Sequence, residues 1–103
     1  MGVQMNEDRY GVASITIDVA SVAVNTTAEQ TFTVQGLTTD MFVAVVKSSL
    51  SAGLGIVNAR VSAANTLAIT FVNATAGAID PASEAYKVFW FKPEKSQTTV
   101  VVP

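Results

Sequence analysis

GLGIVNARVSAANTLAITFVNATAGAIDP, residues 53–81, alternates twice about one polar turn. On its first limb Val57, Ala59, Val61 and Ala63 interleave with Ile56, Asn58, Arg60 and Ser62. On its second, Leu67, Ile69 and Phe71 interleave with Ala68, Thr70 and Val72. A period of two on both sides of a short turn predicts a β-hairpin, with strands at 55–63 and 66–73. Ala64-Asn65 supplies the turn, because asparagine tolerates left-handed backbone angles that most residues avoid.

Outward from this hairpin the same period recurs. Residues 14–24 set Ile15, Ile17 and Val19 against Thr16, Asp18 and Ala20, with a break expected near Ala20-Ser21. Asn25-Thr26-Thr27 reads as a turn, and residues 29–35 follow with Phe32 and Val34 inward. Residues 41–47 are apolar on both faces: Met41, Val43 and Val45 on one, Phe42, Ala44 and Val46 on the other. Residues 84–92 behave alike, with Tyr86, Val88 and Trp90 opposite Lys87, Phe89 and Phe91. A strand that is apolar on both sides needs cover on both. The segments SSLSAGLG and ATAGAIDPAS read as loops.

Six strands separated by turns predict an all-β chain, an antiparallel β-sandwich or barrel-like single domain with extended terminal arms. The domain is expected at 14–97, with an N-terminal arm at 1–13 and an extended C-terminal tail at 98–103. The length of 103 residues suits one core without disulfides or metals.

Composition narrows the chemistry. Half of the residues are apolar and 14% are charged, against roughly 25% in ordinary soluble domains. Such a charge shortage points to apolar surface hidden against other subunits. Cysteine and histidine are absent, which removes thiolate and imidazole chemistry and leaves no expected metal or cofactor. The six basic residues are scattered and the net charge is -2, unlike a nucleic-acid footprint. No window approaches the roughly 20 apolar residues of a membrane helix, and the polar start MGVQMNEDRY lacks the form of a signal peptide.

Three constellations come closest to a chemical site. Asp80 and Glu84 could form a carboxylate pair, but solvated loop residues are the commoner outcome. The serines around residues 48–51 match no nucleophile elbow or phosphate loop. Tyr86, Phe89, Trp90 and Phe91 could present rings to a sugar or a protein, with one strand face in the core and the other at an interface. Residues expected at an interface are Met41, Val43, Val45, Phe89, Phe91, Val100, Val101 and Val102. The uncharged tail could add a strand to a neighbouring sheet edge.

AEQTFTVQGL (28–37), the 53–81 block and AYKVFWFKP (85–93) together resemble segments of small bacteriophage virion structural proteins, in particular capsid decoration (cement) proteins. The likeness lies in strand and turn residues over about two thirds of the chain and carries no catalytic position. It implies a non-enzymatic β-domain on the capsid exterior, assembled in the host cytoplasm. It further implies a homo-oligomer, with a trimer favoured, that bridges subunits of the major capsid protein. The alternative is a tail or fibre component that binds a receptor or carbohydrate, for which Trp90 and Tyr86 should be exposed.

Overall fold

The computed structural model describes residues 9–93 and 100–102. Six strands appear in chain order: β1 (Tyr10–Ile17), β2 (Thr26–Thr33), β3 (Phe42–Lys47), β4 (Leu54–Ala63), β5 (Thr66–Asn73) and β6 (Glu84–Phe91). They form two antiparallel three-stranded sheets, ordered β1-β6-β3 and β2-β5-β4. The expected all-β sandwich is therefore what the chain adopts.

β4 and β5 make the predicted hairpin, with Ala63 opposite Thr66 and Asn65 at φ 60° in the turn. Its tip is pinned to the connection after β2. The Gly36 amide donates to Asn65 Oδ1 at 2.8 Å, and backbone bonds join Asn65 to Val34 and Leu37. Between the sheets lie Ile17, Val19, Val22, Leu37, Met41, Val61, Leu67, Ile69, Phe71, Tyr86, Val88 and Trp90. Each central strand, β5 and β6, supplies three of these at alternate positions, as a half-buried strand must.

Four expectations change. β1 starts at Tyr10 rather than residue 14 and ends at Ile17 rather than running on to 24. β2 starts at Thr26, because Asn25 alone, at φ 47°, absorbs the turn. β4 bulges between Ile56 and Asn58. The extra residue, Val57, is exposed, and Ile56 turns inward with Ala59 and Val61, so the two faces read from the alternation exchange members there.

The fourth change concerns the interface. Val43 lies opposite Trp90 and Val45 opposite Val88, so both face the protomer's own core, and Met41 is buried there too. The surface expected on Met41, Val43 and Val45 is carried instead by Phe42, Ala44 and Val46. Of the C-terminal tail, Val100, Val101 and Val102 are exposed and outside any strand. Residues 98, 99 and 103 of that expectation, and all but residues 9–13 of the N-terminal arm, lie outside the described residues.

Candidate functional site

The two outer faces of the sandwich differ in kind. On β2-β5-β4 the outward positions include Thr27, Glu29, Thr31 and Thr33 from β2, Thr70 from β5, and Asn58 and Arg60 from β4. Arg60 grips Glu29 through two bonds, Nε to Oε2 at 2.9 Å and Nη2 to Oε1 at 3.0 Å. Asp18 is exposed just past β1, apart from this pair. The face is an ordinary wet surface.

The outer face of β1-β6-β3 is apolar. Register stacks its residues in rows: Tyr10, Phe91 and Phe42; then Val12, Phe89 and Ala44; then Ser14, Lys87 and Val46. Tyr10 is 67% exposed, Val12 66%, Phe42 and Val46 60%, Phe89 43% and Phe91 39%. The Phe42 and Phe91 rings stack with centroids 6.1 Å apart and planes at 20°. At about 200 Å² for a whole aromatic side chain, these residues leave roughly 500–600 Å² of connected apolar surface. That matches the largest patch an ordinary monomer exposes, a size that usually marks a contact site. Lys87 is the single charge within the rows.

Phe89 and Phe91 thus stand on the exposed face where the sequence placed them, and Tyr10, Val12, Phe42, Ala44 and Val46 join them. Tyr10 and Val12 escaped the sequence reading because Gly11 between them weakens the strand signal. The glycine is required by packing: a Cβ there would come within 2.6 Å of Trp90 Cζ2 on the neighbouring strand.

Trp90 and Tyr86 are buried in the core. Neither ring can stack on a sugar, so the version of the carbohydrate reading built on them fails. The Tyr86 hydroxyl has no hydrogen-bond partner among the described residues. Burial pushes its pKa up, with the Glu84 charge adding to the effect. An unpaired buried hydroxyl costs about 1–3 kcal/mol. Tyr86→Phe is accordingly expected to stabilise the fold by about 1 kcal/mol, seen as a higher urea midpoint. A lower midpoint would show that the hydroxyl has a partner in solution.

The carboxylate pair does not assemble. Glu84 is committed to Lys47, with which it forms an ion pair, and to Ser49, whose hydroxyl donates to Oε1 at 2.8 Å. Lys47 also donates to the Ser49 carbonyl at 2.9 Å and the Ser51 hydroxyl at 3.1 Å. Asp80 is exposed and joins no hydrogen bond or ion pair among the described residues. The serine loop is therefore a pinned structural connection beside β3. Among the described residues no three acidic side chains gather to hold a metal.

The hydrogen bonds from Lys47 and Ser49 hold the Glu84 carboxyl below the usual carboxylate range. Arg60 does the same for Glu29. Depressed folded-state values contribute stability above the unfolded pKa, and that contribution is lost as pH falls through the folded value. Stability should decline on acidification below about pH 4.5, the ordinary glutamate region. Urea midpoints of Glu84→Gln followed across this window should show a shallower decline than the parent protein; an unchanged slope would remove Glu84 from the account.

No protein-family model, curated protein or solved structure matches this chain.

Proposed function

We propose that this protein is a non-enzymatic structural component of a larger protein assembly, acting by burying the apolar outer face of β1-β6-β3 against a neighbour. The observation that carries the reading is the asymmetry of the sandwich. One outer face has the threonines and ion pair of a solvated sheet, and the other has three phenylalanines, a tyrosine and two valines in adjoining rows. A chain with so few charges leaves this face uncovered only where something else covers it.

The resemblance to phage decoration proteins makes the specific form of the proposal a capsid cement protein. Homo-oligomers of the chain would seat the apolar face across coat-subunit boundaries, outside the shell. Aromatic rings carry such contacts well, being large, rigid and cheap to order. The resulting contact would raise the free energy needed to separate coat subunits.

The test is addition of purified protein to expanded capsids that lack it. Binding, together with a higher disruption temperature of the shell, is the expected result. Absence of both would reject the cement reading. Selective retention on a glycan array, lost when the phenylalanines of this face are replaced, would favour the receptor-binding alternative, since exposed rings also suit sugars.

A further inference from the structure

We propose that the edge of β1 that is unpaired among the described residues pairs with the β1 edge of a second copy, antiparallel and two-fold symmetric, to give a continuous six-stranded sheet. The proposal goes beyond the docking of the outer face and does not rest on it. It starts from a difference among the four edge strands, β1, β2, β3 and β4.

An unpaired edge is a template for further pairing, and proteins blunt it with charges, bulges or short strands. β3 has six residues and turns the charged Lys47 inward. β4 breaks its register twice, between Ile56 and Asn58 and between Val61 and Ala63, and carries Arg60. β2 carries Glu29, and its Gln30 side chain bonds both the amide and the carbonyl of Ala20, each at 2.9 Å. β1, YGVASITI, has none of these devices. It runs eight residues without charge, proline or bulge, and its register against β6 is unbroken from Tyr10 to Ile17.

Three features favour a second copy as the occupant. Charge is the first: Arg9 precedes the strand and Asp18 follows it, and both are exposed. Neither joins an ion pair among the described residues. Antiparallel pairing keeps facing residues on one side of the sheet only when the two-fold axis falls on a residue. With the axis at Ser14, the Arg9 end of each strand meets the Asp18 end of the other, the two side chains standing on opposite sides of the sheet. Parallel pairing would set like charge beside like.

Shape is the second feature. A cleft of about 310 Å³ opens between β1 and the connection after β2, lined by Ala13, Leu37, Val88 and Trp90 among others. With the axis at Ser14, the partner's Ile15 comes opposite Ala13, a small residue on the wall of that cleft. The third is self-consistency: the middle of the strand offers only small or uncharged side chains to its own copy, so no like charges meet.

Sedimentation equilibrium of the full chain tests the pairing. A dimer is expected. Ser14→Lys, an exposed substitution that brings two cations together at the axis, should abolish it while leaving the circular dichroism unchanged. Arg9→Glu should weaken the dimer no more than about threefold, because the charges at each end are exposed and lie on opposite sides of the sheet. Since the chain has no cysteine, Ser14→Cys should oxidise to a covalent dimer, facing residues lying within disulfide reach, whereas Thr31→Cys on the opposite outer face should not. A monomer, or a trimer as the family resemblance implies, would overturn the proposal. So would a dimer that survives Ser14→Lys but is lost when Phe42, Phe89 and Phe91 become serine, because association would then run through the outer face. Failure to bind capsids while the dimer persists would count against the cement reading alone.

Discussion

Asn73→Ala is expected to lower folding stability by about 3–5 kcal/mol, a large share of the roughly 5–15 kcal/mol typical of a domain. Asn73 is fully buried at the end of β5. Its Nδ2 donates to the Val22 carbonyl at 3.0 Å and the Gly77 carbonyl at 2.9 Å. Its Oδ1 accepts from the Thr75 amide at 2.9 Å and the Thr75 hydroxyl at 2.7 Å. One side chain thus ties together the end of β5, the loop after it, and the connection between β1 and β2. That connection is also held to Ile79 by a pair of backbone bonds at 2.8 and 3.0 Å. Alanine leaves two carbonyls and an amide without these partners in a buried to half-buried site, each costing about 1 kcal/mol.

Urea unfolding followed by the fluorescence of Trp90, the one tryptophan, measures the effect. The midpoint should drop by roughly 2 M, given a slope of about 1–3 kcal/mol/M for a small domain. Thr75→Val, which removes a single donor, should lose about a third as much. Equal losses in the two variants would mean that the loop, and not the asparagine amide, holds the site together.

Asn73-Ala74-Thr75 also reads as an N-glycosylation acceptor. The structure gives the spacing a different sense: the threonine amide and hydroxyl both turn back to the asparagine oxygen, a local turn that competes with strand continuation and ends β5. The sequence contained the signal, and only burial reveals which meaning applies.

Strand existence was legible because alternation survives in every strand, and the predicted bounds of the strand at 66–73 match those found. What alternation withholds is the relation between strands. For residues 41–47 either face could have been the core, since both are apolar. The choice is made by register against β6, where Val43 and Val45 fall opposite the buried Trp90 and Val88. The interface reading took the outward face of β6 and the inward face of β3, which cannot lie on one side of a sheet. Bulges are hidden for a related reason: Val57 is as apolar as Ile56 before it, so nothing in the residue types shows which of the two is the extra one. The apolar outer face could be inferred in kind from the charge shortage, but its membership needed two registers at once.

Replacing Phe42, Phe89 and Phe91 together with serine is expected to abolish docking while leaving the protein folded. All three lie on the outer face and keep between 39% and 60% of their surface exposed, so the folded chain gains little from them. Each single change should cost no more than about 1 kcal/mol of stability, chiefly through the stacked pair Phe42 and Phe91. At an interface the balance reverses. A ring that becomes fully desolvated in a contact is worth about 2 kcal/mol or more, and each 1.4 kcal/mol is a factor of ten in affinity. Three such rings in adjoining rows act as a unit, so the combined loss should exceed about a hundredfold without being their sum. Lys87→Ala, in the row beyond Phe89, should change affinity no more than about fivefold, as a rim charge does. The readout is the protein concentration needed to raise the disruption temperature of expanded capsids, with circular dichroism confirming the fold of each variant. A triple variant that binds and hardens the shell like the parent would place the contact elsewhere on the molecule. The polar face of β2-β5-β4 would then be the next surface to substitute, beginning at Arg60, whose only ion pair among the described residues is exposed and inexpensive to break.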